Sequence, residues 1–330
     1  SVVCFLWRYL STKEGALFGF WLSIFRRENM SKVLIMMSTY NGECFLREQI
    51  ESLLKQNNED ITILVRDDGS SDKTVGILEE YEKRGQLQAY SGRNLKPARS
   101  FMELIDKAHI EEYDYYAFSD QDDIWLPDKV HVAVQAIQKY DVPAMYYCKT
   151  DNVTASLEHI DYFFRDPKYA TSLQASVLTG SLIPGCTMLF NKALMKELHK
   201  YKPNYITMHD NWVHLVCLAV GGRVVADNEA YILYRQHGNN AVGSTPKTVR
   251  YRIKRLIKKE NVFSKIAAEV YKGYNDEMSQ KDCEFFEMVM DYKKSLLIKL
   301  KLINQSCRCL NKPREKLFTG MKIILGKFCG

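Results

Sequence analysis

From Lys32 to about Ala226 the chain alternates short continuous apolar runs with longer stretches whose apolar residues recur at helical spacing. Val33–Met37 is unbroken apolar sequence, the pattern of a strand buried on both faces. Leu46, Ile50, Leu53 and Leu54 then follow a helical period. Ile61–Val65 reads as a second strand, followed by a helix with Val75, Leu78 and Tyr81 inward and Gly85 just past its end. Leu87–Tyr90 is a third strand, Pro97 opens a helix running through Leu104 and Ile105, and Tyr113–Phe118 is a fourth strand. Pro127 starts another helix, and Ala144–Cys148 and Cys186–Phe190 read as later strands. This alternation predicts an α/β domain with a mostly parallel central sheet flanked by helices. Such sheets bind ligands at the carboxyl ends of their strands.

Past Lys247 the character changes. Lys and Arg become dense, and apolar residues keep helical spacing at Ile253, Leu256 and Ile257, at Phe263, Ile266, Ala267 and Val270, from Cys283 to Leu302, and at Leu317, Met321, Ile324, Leu325 and Phe328. The expected organisation is an N-terminal extension or linker helix over 1–30, a catalytic domain over 31–245 and a basic helical appendage over 246–330. The apolar stretch Gly15–Phe25 falls short of the roughly 20 residues that span a bilayer. Met30 directly precedes the first clear strand, so residues 1–29 are expected to be a linker from a longer polypeptide or upstream sequence. The nine cysteines form no CxxC pair and no zinc spacing, which fits a reducing cytoplasm. The net charge of +6 comes with no nucleic-acid recognition motif, so no nucleic-acid partner is expected.

Three polar motifs fall at strand ends. Ser38-Thr39-Tyr40-Asn41-Gly42 combines small residues that let a ligand approach the backbone with an aromatic face for a base. Its plainer reading is a strand-to-helix turn. In Arg66-Asp67-Asp68-Gly69-Ser70-Ser71-Asp72, Asp68 is a candidate acceptor for a uracil or thymine imide N–H, while Ser71 or Asp72 builds an Asx turn or cap. Ser119-Asp120-Gln121-Asp122-Asp123 places hard oxygen ligands two residues apart, as Mg²⁺ or Mn²⁺ takes when a diphosphate completes the coordination. Asp123 there reads as a helix cap. Two further motifs lie downstream. His209-Asp210-Asn211-Trp212 opens the apolar helix Val213–Val220, where Asp210 is a cap or a general base. Tyr234-Arg235-Gln236-His237-Gly238-Asn239-Asn240 follows the β-rich run Glu229–Leu233 and puts an Arg and a His where they would neutralise phosphate or complete a metal site.

In this order, these segments resemble the family-2 glycosyltransferases of the GT-A fold, with a tilt to bacterial rhamnosyltransferase-like members that build surface polysaccharides and glycoprotein glycans. The resemblance runs from about Ser31 to Gly243. Its most specific pieces are Ser119 through Lys129, Gly185 through Asn191, Met208 through Trp212 and Tyr234 through Asn240. It implies that Tyr40 stacks on the nucleotide base and Asp68 accepts from it, with Thr39, Asn41, Arg99 and Gln121 on the donor side. It further implies Asp120 and Asp122 as the metal motif with His237 as a third contact, and Asp210 as the catalytic base. Where many relatives carry Glu-Asp at the base motif, this chain has His209-Asp210.

The implied activity is inverting, Mn²⁺- or Mg²⁺-dependent transfer of one sugar from dTDP-rhamnose or a UDP-hexose to a hydroxyl of a glycan or glycoprotein acceptor. The Gln-x-x-Arg-Trp motif of processive synthases is absent. Two other readings stand beside it: a nucleotidyltransferase, for which the expected Gly-rich phosphate loop is missing, and a catalytically weak transferase-like module for assembly or membrane recruitment. The basic C-terminal helices are candidates for peripheral contact with the inner membrane surface. A homo-oligomer is compatible with the sequence.

Overall fold

The computed structural model describes residues 30–57, 59–180, 182–237 and 262–326. Its centre is a nine-stranded sheet in the order β3-β2-β1-β4-β8-β6-β9-β5, with β7 also paired to β6. The strands are β1 (Lys32–Thr39), β2 (Asp60–Asp67), β3 (Gln88–Ser91), β4 (Tyr115–Ser119), β5 (Ile124–Trp125), β6 (Ala144–Val153), β7 (His159–Phe163), β8 (Leu189–Asn191) and β9 (Arg223–Arg235). The half from β3 to β4 is parallel throughout. Beyond β4 the sheet is mixed: β8 runs antiparallel to both β4 and β6, β7 to β6, and β5 to β9, while β6 and β9 are parallel.

The continuous apolar runs divide their side chains between two cores. Val33, Ile35 and Met37 of β1 face one cluster with α1 (Leu46–Leu54), α2 (Thr74–Lys83) and α4 (Lys129–Ile137). Leu34 and Met36 face the other. That second cluster takes in α3 (Lys96–Lys107), α5 (Pro167–Ala170), α6 (Leu173–Thr179), α7 (Lys192–Lys200) and α8 (His209–Ala219). Strand alternation thus puts successive residues into opposite layers, the geometry of a sheet covered on both sides. The same second cluster includes buried residues of α9 (Val262–Tyr274), α10 (Gln280–Asp291), α11 (Leu296–Cys309) and α12 (Pro313–Ile324), so the C-terminal helices share the core of the sheet.

Several local expectations shift. The inward face of α2 is Thr74, Ile77, Leu78 and Tyr81, with Val75 only half-buried. Gly85, at φ 68°, closes that helix: its N–H donates to Glu82 O and Gln86 N–H reaches back to Tyr81 O, the paired bonds of a Schellman motif. Pro127 precedes α4, which begins at Lys129. Of the strand expected over Cys186–Phe190, Gly185–Thr187 is instead a tight turn, and only Leu189–Asn191 pairs. The stretch from Cys283 to Leu302 splits into α10 and α11, because the Ser295 hydroxyl accepts from Ile298 N at 3.2 Å and caps a new helix. Ile253, Leu256, Ile257 and Phe328 lie outside the described residues. No helix among the described residues is long and apolar enough to cross a membrane.

Gly222 joins α8 to β9 where two carbonyls converge. A Cβ there would lie 2.6 Å from Cys217 O and 2.7 Å from Pro143 O, and backbone cannot yield as a side-chain tip can. Gly222→Ala should therefore lower unfolding free energy by roughly 1–3 kcal/mol, the usual range for overpacking. A urea titration checks this; an unchanged midpoint would contradict the assigned crowding.

Candidate active site

The ends of β1, β2, β4 and β9 and the start of α8 frame one corner of the sheet. Thr39, buried at the end of β1, donates through Oγ1 to Gln121 Oε1 at 2.6 Å. The same oxygen accepts from Tyr40 N at 2.8 Å, so the Gln121 amide pins the Tyr40 backbone. The Tyr40 ring is left 47% exposed. Asn41, at φ 49°, ties this loop to the next: its N–H donates to Ser70 Oγ at 2.8 Å and its Oδ1 accepts from Ser71 N at 2.9 Å. On β2, Asp67 builds the turn by accepting from the N–H groups of Gly69 and Ser70. Asp68 is buried in an ion pair with Arg66, and its Oδ2 accepts from Leu95 N at 3.1 Å.

The acidic turn after β4 is folded back by β5 along β9, with Ile124 opposite Leu233 and Trp125 opposite Ile232. This register brings Arg235 and His237 to the turn. Arg235 is buried and binds acceptors of the protein itself. Its N–H donates to Asp123 Oδ1 at 3.0 Å, Nε to Asp122 O at 2.8 Å, Nη1 to Ala155 O at 2.6 Å and Nη2 to Glu48 Oε2 at 2.6 Å. Its guanidinium carbon lies 4.4 Å from the centroid of the Phe45 ring. His237 Nε2 is 2.8 Å from Asp122 Oδ2. Gly238, Asn239 and Asn240 lie outside the described residues.

Asp123 does not cap α4, as the sequence suggested. It is wholly buried, its Oδ2 has no hydrogen-bond partner, and ligand atoms of Asp120, Asp123 and Cys186 all lie within 4.8 Å of one another. Burial pushes the Asp120 carboxyl up to about 7, with repulsion from Asp122 and Asp210 adding to it. Burial, then Asp120 and Asp122, hold Asp123 well above the usual carboxylate range. The positive charge beneath them is Lys129, buried 3.3 Å from the centroid of the Trp125 ring, whose ammonium desolvation lowers to about 8. Crowded carboxylates with an unpartnered buried oxygen are an environment a divalent cation relieves, and hard oxygen donors suit Mg²⁺ or Mn²⁺ better than softer metals.

Asp210 reaches this corner from the first turn of α8. The Gly185–Thr187 turn is pressed so closely on α8 that a Cβ on Gly185 would lie 2.6 Å from His209 Nε2 and 3.5 Å from Asp210 Cβ. Burial raises the Asp210 carboxyl to about 6 against the opposing pull of the Asn211 and Gly185 N–H groups. His209 turns the other way. It stacks on Phe101 at 3.8 Å between ring centroids and meets Phe118 edge-on at 4.7 Å. Neither ring nitrogen has a hydrogen-bond partner, and burial lowers its pKa to about 3. Arg99 sits outside the corner: its guanidinium donates to the carbonyls of Pro203 and Asn204, on the segment leading into α8.

Residues 34–198 match the family model "Glycosyl transferase family 2". The chain belongs to glycosyl transferase family 2. It is 32% identical to the dTDP-rhamnosyl transferase RfbG of Shigella flexneri over 232 residues, 63% of this chain and 74% of that protein. Its fold is shared with a crystal structure of S. aureus TarS 1-349 in complex with UDP-GlcNAc, at TM-score 0.55 and 18% identity over 83% of this chain and 79% of that one. It is also shared with GalNAc-T7 crystallised with UDP, GalNAc and Mn2+, at TM-score 0.53 and 12% identity over 81% of this chain and 58% of that one. The sheet and its helices are thus a GT-A-like glycosyltransferase fold, and the protein is a glycosyltransferase.

Sequence reasoning left out Asp123 as part of the acidic cluster, and Cys186 and Lys129 altogether. Asp123 and Lys129 lie inside the motif from Ser119 to Lys129, so their place in the sequence pointed to the corner. Cys186 likewise lies inside the motif from Gly185 to Asn191, but that motif was read as a strand, and the turn at Gly185 is what brings the thiol to the carboxylates.

The buried neutral His209 links stability to pH. Its folded pKa lies below its unfolded value, so the unfolded chain binds the extra proton and stability is lost as pH falls below about 6.5. Between pH 7 and 5 this residue alone should withdraw about 2 kcal/mol. Chemical denaturation of wild type and His209→Leu at both pH values tests it: the variant should lack that share of the acid loss, and identical slopes would rule out a buried neutral imidazole.

Proposed function

We propose that this family-2 glycosyltransferase moves one sugar, with inversion at the anomeric carbon, from a nucleoside-diphosphate donor to a hydroxyl of a glycan or glycoprotein acceptor in the cytoplasm. The observation that carries this reading is the convergence of Asp120 and Asp122 from the acidic turn with Asp210 from α8, close enough that Asp122 and Asp210 both raise the Asp120 pKa. One set of carboxylates suits a cation and the other a base. The likeness to a dTDP-rhamnosyl transferase supports dTDP-rhamnose as donor, and the likeness to a structure holding UDP-GlcNAc keeps a UDP-hexose as the second candidate. We take residues 31–245 as the catalytic unit and 246–330 as the appendage that completes its core.

In this reading Tyr40 offers its exposed face to the base, its backbone fixed by Gln121. Asp68 has one oxygen on Arg66 and the other on Leu95 N, yet a carboxylate has about four lone-pair sites, so room remains for an imide N–H. Thr39 and Asn41 shape the pocket wall through their loop hydrogen bonds. Arg99 is assigned to positioning the 203–204 segment. Asp120 and Asp122, with His237 on Asp122, would hold Mn²⁺ or Mg²⁺; a neighbour of this fold was crystallised with Mn2+. A bound cation there supplies stabilisation of the negative charge that grows on the leaving diphosphate. Asp210 takes the proton of the acceptor hydroxyl as its oxygen bonds to the anomeric carbon. The bond from that carbon to the diphosphate oxygen breaks, releasing the nucleoside diphosphate. The direct displacement forms no covalent intermediate, so one carboxylate base is enough.

Asp210→Asn should lower turnover roughly 10²–10⁴-fold, the usual share of a general base, while nucleotide-dependent thermal stabilisation persists. Near-normal turnover would remove Asp210 from that role. EDTA should abolish release of nucleoside diphosphate, and Mn²⁺ or Mg²⁺ should restore it. Full activity in chelator would overturn the cation assignment, and release of pyrophosphate instead would point to nucleotidyl transfer.

A further inference from the structure

The C-terminal hairpin presents its apolar residues outward. In α11 and α12 the buried positions are few: Leu302 and Ser306, then Thr319, Gly320 and Ile323. Leu296, Leu297 and Leu300 of α11 and Leu317, Met321 and Ile324 of α12 are 48–70% exposed. On α12 these recur at helical spacing, and a face of this kind normally seeks a partner. Lys299 Nζ donates to Ile324 O at 3.0 Å, so the leucines that open α11 lie at the same end of the hairpin as the close of α12.

Charge narrows what covers this face. From Lys293 to Gly326 there are nine Lys or Arg and a single acid, Glu315. Glu315 is engaged by Tyr169, whose hydroxyl donates to it at 2.6 Å. The segment thus carries eight positive charges in excess where the whole chain carries six, leaving the rest slightly acidic. A second copy docked face to face would set like charges against each other. An anionic lipid leaflet satisfies both features at once, since an interfacial amphipathic surface pairs an exposed leucine-rich side with flanking lysines.

We propose that the α11–α12 hairpin seats the enzyme on an anionic lipid surface, its leucine-rich end entering the headgroup boundary while its lysines and arginines meet lipid phosphates. The proposal is independent of the donor, the cation and the base. The full chain is sedimented with vesicles of phosphatidylglycerol and phosphatidylcholine, or of phosphatidylcholine alone. Binding should require the anionic lipid and weaken with salt, and Lys301→Glu should weaken it by at least about fivefold, the worth of one cation near such a surface. Leu297→Asp combined with Met321→Asp should abolish binding while the unfolding midpoint and nucleotide-dependent stabilisation stay unchanged. Protein that remains in the supernatant with anionic vesicles overturns the proposal, as does binding that neither the Lys301→Glu nor the paired aspartate variant reduces. A dimer in sedimentation equilibrium that Leu297→Asp dissociates, with vesicles ignored, would assign the face to a second copy instead.

Discussion

The acidic corner depends on the way Arg235 spends its donors. A buried guanidinium next to an acidic turn would ordinarily pair with its carboxylates. Here Nε and Nη1 go to the backbone carbonyls of Asp122 and Ala155, Nη2 goes to Glu48 outside the cluster, and it is the backbone N–H of Arg235 that takes Asp123. The fork fixes the path of the chain, while burial and the neighbouring carboxylates hold the Asp120 carboxyl up at about 7. A lysine has no planar fork with which to reach three acceptors in different directions. The arrangement positions the turn largely through backbone acceptors and leaves the carboxyls of Asp120 and Asp123 crowded together.

The same economy appears around Asp210. His209 and Asp210 are adjacent in sequence and opposite in surroundings. The imidazole goes into an aromatic pocket of Phe101 and Phe118, where only its neutral form is tolerated, and the carboxylate faces the acidic corner. His209 therefore acts as a packing residue that fixes where α8 begins. Replacing His209 would alter how α8 sits on Phe101 and Gly185 without removing the carboxylate.

The parallel half of the sheet was legible because burial on both faces writes an unbroken apolar run into the sequence, as in Val33–Met37. The mixed half was not. Antiparallel β8 is three residues long, and β7 is exposed along its length, so neither carries a periodic apolar signal. Asp120, Asp122 and Asp210 were legible as residue types in a context, and the structure brings them to one corner. The partners of Arg99 and Arg235 were not legible, because each is set by a carbonyl on a distant segment. Cys186 was read as part of a strand, so its meeting with Asp120 and Asp123 across the Gly185–Thr187 turn was missed, and Asp123 was misread because a carboxylate just before a helix has the same local pattern whether it caps the helix or is buried beneath it. The apolar spacing of α12 was evident, but spacing says only that a stripe exists, not whether it faces the core or solvent.

Two opposing influences set the character of Asp210. Its place in the first turn of α8 puts it at the positive end of a helix dipole, next to N–H donors from Asn211 and Gly185, and both favour the ionised form. Burial disfavours that form by more, and the carboxyl settles at about 6. A carboxylate at the usual value near 4 would be ionised but a weak proton acceptor, whereas one raised well above 7 would be protonated when the acceptor arrives. In the proposed role, a value near 6 would keep the group ionised at neutral pH and still basic enough to draw a proton from a hydroxyl as the new bond forms. The close approach of the Gly185 turn, open because that residue has no side chain, brings the Gly185 N–H to the Asp210 carboxylate.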